Sequence, residues 1–155
     1  MSTETPSFLT DEQLVLVTSI LDRIEPPEGK KPGAGQLGVA EYLNQVVGVS
    51  AKLKKLFTRG LAQIEITSHG RHSREFADLS AEQRDAVLSE VESAEPEFFE
   101  ALVRQTYNGY YADSSVLEQL GLEALPPQPR GYDVPTGDLR LPENVKKRGK
   151  VYRDV

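Results

Sequence analysis

The two histidines of the chain, His69 and His72, stand close to Glu65 in the stretch EITSHGRH. Glu-x3-His puts a carboxylate and an imidazole on one helix face, and a second imidazole three residues on would complete a three-ligand metal set. The spacing predicts that the helix ends near Gly70, which would take His72 off that face. Ser68, Ser73, Arg71 and Arg74 around the pair then read more plainly as a solvated loop.

Other candidate chemistry is thinner. Carboxylate pairs such as Asp11 and Glu12, or Glu90 and Glu92, sit at i,i+1 and i,i+2, spacings that do not converge on a helix. The glycines of KKPGAGQLG precede a helix, and a helix N-terminus can hold an anion. The stretch lacks GxGxxG, a Walker lysine and threonine, and a preceding strand, so turn glycines are the simpler account. No G-x-S-x-G context for a serine nucleophile is present. The residues therefore predict no catalytic, cofactor-binding or metal site in this chain.

The tyrosines remain. Tyr107, Tyr110 and Tyr111 fall in the run QTYNGYYADSSVLEQLG and are half of the six tyrosines in the chain. On a continuing helix their i, i+3, i+4 spacing predicts one shared face. Three readings stay open. The rings seal one end of a bundle, they meet another polypeptide, or they line a small-molecule pocket. Tyrosine suits an interface because a large apolar ring carries a polar tip.

Positioning these residues falls to a chain of 155 amino acids, enough for one domain with its own core. Apolar residues make up 38% and charged residues 27%, and no run approaches the roughly 20 apolar residues of a membrane span. The absence of cysteine excludes disulfides, thiolate metal sites and a cysteine nucleophile. A net charge of −6 makes nucleic acid a poor partner for the body. The charge is uneven. Residues 138–155 hold six basic and three acidic side chains, a +3 tail on a −9 body. That tail reads as a solvated terminus or as an arm for an acidic surface. The opening MSTETPSFLTDEQ shows no basic run, apolar core or twin arginine, which predicts a cytoplasmic protein as the sequence stands. A signal removed earlier, or supplied by a partner, would place it in the periplasm.

The periodicity predicts five or six helices and no strand pair, an all-α bundle. Thr10 and Gln13 form a capping-box pattern ahead of Leu14, Val17, Leu21 and Ile24, and Pro26-Pro27 end that helix. A loop, EPPEGKKPGAG, leads to a second helix over QLGVAEYLNQVVG with Gly38 inside it. Ser50 caps a third, in which Gly60 permits close helix contact. Ser80 caps a fourth, again with glutamine three residues on. Pro96 opens a fifth, whose expected buried face is Phe98, Phe99, Leu102, Val103 and Thr106. A short sixth runs from about Ser114 and stops at Gly121. From residue 123 the chain holds five prolines and three glycines without helical period, which predicts an extended strap. The expected organisation is a flexible segment 1–9, a helical domain 10–122 and a C-terminal strap 123–155.

In their order, ILDRIEPPEGKKPGAGQLGVAEYLNQVV, RGLAQIE, FADLSAEQRDAVL and FFEALVRQTYNGYYADSSVLEQLGLEALPPQPRGY make the chain resemble the gluconate 2-dehydrogenase subunit 3 family. The likeness covers roughly residues 10 to 135. Its most specific piece is the aromatic-Gly-Tyr-Tyr run, the short helix, a Leu-Gly pair and the Pro-rich segment ending at Gly131-Tyr132. The resemblance implies a non-catalytic small subunit of an FAD-dependent sugar or polyol dehydrogenase. FAD would be held by a large partner of the GMC oxidoreductase type, and some such complexes add a multihaem cytochrome subunit. It further implies support of the large subunit's folding, stability or export. Family members often carry a twin-arginine signal, which this sequence lacks. The partner contact is expected at Tyr107, Tyr110 and Tyr111 and at Pro126, Pro127, Arg130, Gly131 and Tyr132. The competing expectation is a free-standing helical binding or chaperone-like protein that uses its tyrosine-rich end.

Overall fold

A computed structural model describes residues 7–122 together with Lys147 and Gly149. Within residues 7–122, six α-helices follow one another: α1 (Asp11–Ile24), α2 (Val39–Val49), α3 (Ala51–His72), α4 (Ala81–Ala94), α5 (Pro96–Tyr110) and α6 (Ser114–Gln119). There is no strand among the described residues, so the fold is the all-α bundle that the periodicity predicts. All six helices belong to the first of two units of the chain, Met1–Ala124; the second is Leu125–Val155. Apart from Lys147 and Gly149, the expected strap 123–155 lies outside the described residues. No described helix is long and apolar enough to cross a membrane.

Local chemistry sets most helix ends. Gln13 donates its backbone N–H to Thr10 Oγ1 at 3.3 Å, and Thr10 returns its own N–H to Gln13 Oε1 at 3.1 Å. Ser80 and Gln83 repeat this reciprocal cap on α4. Pro96 opens α5, where its missing N–H is no loss. Asp113 caps α6 through the N–H of Ser115 at 2.9 Å. Gly121, at φ +73°, closes α6. Its N–H reaches the Glu118 carbonyl and that of Leu122 the Leu117 carbonyl, the paired bonds of a Schellman motif.

Two boundaries differ from the sequence reading. Helix α2 starts at Val39, and Gly38 is its N-cap rather than an interior residue. The preceding residues Ala34–Gln36 form a separate 3-10 turn, and Leu37 is extended. Helix α3 passes Gly70 and ends only at His72, where Ser73 adopts a left-handed φ of 54°. A single interior glycine costs a helix only about 1 kcal/mol, and packing of the buried Ile64, Thr67 and Ser68 outweighs it.

Helix α3 is the hub and packs on α2, α4 and α5, while α1 packs on α2 and α4. Its Gly60 is a close-contact glycine, since a Cβ there would overlap the ring of Phe98. Phe98 in turn meets Phe57 edge-to-face with centroids 5.3 Å apart. Both rings are fully buried, beside Leu61, Ile64 and Leu102 of the same core. Packed structure begins ahead of Thr10. The buried Asn44 side chain accepts the N–H groups of Phe8 and Leu9 at 2.8 and 2.9 Å and donates to Ser7 Oγ. That clip satisfies a buried amide and ties residues 7–9 to α2.

Candidate partner surface

The apolar residues of α5 come in adjacent pairs every fourth position: Phe98-Phe99, Leu102-Val103, Thr106-Tyr107 and Tyr110-Tyr111. Four residues advance a helix by slightly more than one turn, so each pair splits between two neighbouring stripes. The first members, Phe98, Leu102, Thr106 and Tyr110, are all fully buried. The second members form an outer stripe. Phe99 and Val103 are half-buried, and Tyr107 and Tyr111 are 39% and 42% exposed. A sequence reading that takes the apolar positions as one face merges the two stripes, and so places Phe99 and Val103 inside.

The same split corrects the expectation for the tyrosines, which do not present one face. Tyr110 is a core residue whose hydroxyl donates to the Pro32 carbonyl at 2.8 Å. Burial pushes this hydroxyl above the usual phenol range, and nearby Lys31 pulls against the shift. The ammonium of Lys31 lies 5.5 Å from the centre of the Tyr110 ring and pairs with Glu25, whose contact raises the lysine above its ordinary value. Tyr110 thus seals the bundle end, and only Tyr107 and Tyr111 face outward. Their rings are 5.9 Å apart, and Tyr111 stacks edge-on against Tyr110 at 5.2 Å.

The end of α5 is held firmly. A Cβ on Gly109 would come within 2.7 Å of the Tyr42 ring and 3.1 Å of Val39, so this glycine lets α5 close on α2. The hydroxyl of Tyr42 donates to Gln105 at 3.2 Å one turn earlier. The exposed aromatic pair therefore sits on a fixed platform. Along the outer stripe, Pro96, Phe99 and Val103 form one wall of an open groove of about 400 Å3 between α4 and α5, rimmed by Glu92, Glu100 and Arg104. The expected partner residues Pro126, Pro127, Arg130, Gly131 and Tyr132 lie outside the described residues.

The remaining candidates are placed as follows. The Gly-rich loop encloses a carboxylate of its own chain. Gly35 donates its N–H to Asp22 Oδ1 at 3.0 Å, and a Cβ on Gly33 or Gly35 would come within 2.8 or 2.6 Å of Asp22. A position filled by a carboxylate repels a phosphate, so the loop is a structural turn. His69 Nδ1 bonds the backbone carbonyl of Glu65 at 3.1 Å, and His72 Nδ1 lies 3.4 Å from Gln83 Nε2. Among the described residues no three His, Asp or Glu side chains gather as a metal site. A smaller cleft of about 130 Å3 lies toward the opposite end of α1, where Glu12, Glu65, Glu75 and His69 surround Val15 and Phe76.

The family model for gluconate 2-dehydrogenase subunit 3 matches residues 11–124 of the 155. The chain belongs to the gluconate 2-dehydrogenase subunit 3 family. The match spans all six helices, including the α5 platform and the Schellman-capped α6. No curated protein and no solved structure matches the chain. Membership in the subunit 3 family implies a multi-subunit dehydrogenase complex.

Proposed function

We propose that this chain is the non-catalytic small subunit that binds and stabilises a large FAD-dependent sugar or polyol dehydrogenase of the GMC type. The observation that carries the proposal is the exposed Tyr107–Tyr111 pair on the rigid end of α5, in a chain whose family is that of a dehydrogenase subunit. Large aromatic rings left in water on a fixed helix are what a permanent interface covers, and such interfaces commonly bury about 2,000 Å2 or more. The redox cofactor belongs to the companion in this reading. The chain's own Gly-rich loop is occupied by Asp22 and offers no cradle for a dinucleotide. The segment 126–132 is assigned to the same interface in this reading.

The test is expression of the large flavoprotein with and without this chain. The expected result is several-fold more soluble, FAD-loaded enzyme when both are present. An equal yield of active flavoprotein in its absence would contradict a stabilising role.

A further inference from the structure

We propose that the outer stripe of α5 seats one amphipathic helix of the companion subunit, aliphatic on its buried side and edged with lysine or arginine. This rests on the accessory-subunit reading and deepens it, by naming the element that docks and the face that takes it.

The geometry is that of a helix-binding face. Phe99, Val103, Tyr107 and Tyr111 follow one another at four-residue spacing, which spans about 18 Å at 1.5 Å per residue. An i±4 row of this kind is a ridge that packs into the groove of a second helix. Beside the ridge lies the 400 Å3 groove. An apolar cavity of about 150 Å3 already accepts benzene, so the groove has room for a bulky side chain from the docked element. The described residues offer no strand edge to pair with an extended peptide. A helix brings its own backbone hydrogen bonds and needs none from this surface.

Charge selects among helices. Arg104 is paired with Glu100 across one turn, whereas Glu92 has no ion-pair partner among the described residues. The rim is therefore net negative, on a chain of net charge −6. A second copy of this chain would bring a like-charged rim to the same face, which disfavours self-association. A basic-edged helix from another subunit would be attracted.

A photo-crosslinking residue, benzoylphenylalanine, is placed at position 103, at 107 or, as control, at 15 in the full chain co-expressed with the large flavoprotein. Val15 is 59% exposed on α1, away from the α5 stripe. Expected are crosslinks from 103 and 107 to one helical segment of the flavoprotein, at sites three or four residues apart, and none to that segment from 15. Val103→Glu is expected to weaken retention of the flavoprotein by roughly tenfold or more, and Glu92→Lys, separately, by roughly two- to fivefold with a salt-dependent effect. Glu92 is exposed, so its variant leaves the core intact, and circular dichroism checks the fold of both. Crosslinks from 103 into this chain's own sequence, or full retention by both variants, overturn the docked helix while the accessory role stands. If the wild-type chain retains no flavoprotein, both readings fall.

Discussion

The hydroxyl of Tyr110 donates to the carbonyl of Pro32 at 2.8 Å, and this bond ties the last turn of α5 to the loop between α1 and α2. It separates Tyr110 from its neighbours at 107 and 111. Tyr110→Phe removes a partly buried hydrogen bond from the Pro32 carbonyl, which costs about 1 kcal/mol. The expected outcome is a melting temperature lower by several degrees with flavoprotein binding retained. Unchanged melting with lost binding would show that Tyr110 is a contact residue after all.

Gly60 gives a prediction whose sign discriminates. If it were only a weak helix position, Gly60→Ala would stabilise by up to about 1 kcal/mol. The added Cβ overlaps the ring of Phe98, so the substitution should instead destabilise by about 1–3 kcal/mol. Phe98→Leu in the same chain should recover part of that loss, because the two sites share one space. Denaturant unfolding of the single and double variants reads both effects.

Arg23 and Asp85 clamp α1 to α4 through two contacts of 2.7 Å. The hydrogen bond from Arg23 holds the Asp85 carboxyl below its ordinary value of 3.8. A depressed carboxylate contributes stability above its unfolded pKa and loses it as pH falls through the folded one, so the effect begins to fade below about 3.8 and is gone only below the depressed value. Half the Asp85 side chain is exposed, which limits the contribution to less than about 1 kcal/mol. Asp85→Asn should lower stability slightly at pH 7 and by less at pH 3, below the ordinary value of 3.8. Equal losses at both pH values would assign the effect to packing.

What the sequence made legible was local. The boxes at Thr10–Gln13 and Ser80–Gln83, the proline start of α5 and the glycine stop of α6 each depend on residues within six positions of one another. The misplaced boundaries depend on more distant partners. Gly38 is outside α2 because the preceding loop is gathered around Asp22, thirteen residues upstream of Gly35. Which member of each α5 pair turns inward is decided by α2 and α3, through Tyr42 against Gly109 and Gly60 under Phe98. Nothing in the spacing of Phe98-Phe99 or Tyr110-Tyr111 distinguishes inner from outer. The tyrosine cluster was visible as a composition anomaly, but its division into one seal and two exposed rings was not.

Tyr107 and Tyr111 carry the proposed contact. Their joint replacement by alanine removes exposed rings, so the fold should hold its melting temperature to within a few degrees. Loss of two aromatic anchors at an interface should weaken association by roughly 100-fold or more. A double variant that binds as tightly as wild type would remove these residues from the interface.

The central claim is that this polypeptide exists to hold a flavin-bearing companion. Co-expression with the large flavoprotein proposed as its companion, followed by size-exclusion with absorbance in the flavin bands, tests it most directly. The predicted result is a single peak that contains the 17.2 kDa chain and a yellow large subunit in fixed ratio. Elution of the chain alone, with the flavin absorbance in a separate peak, would contradict it.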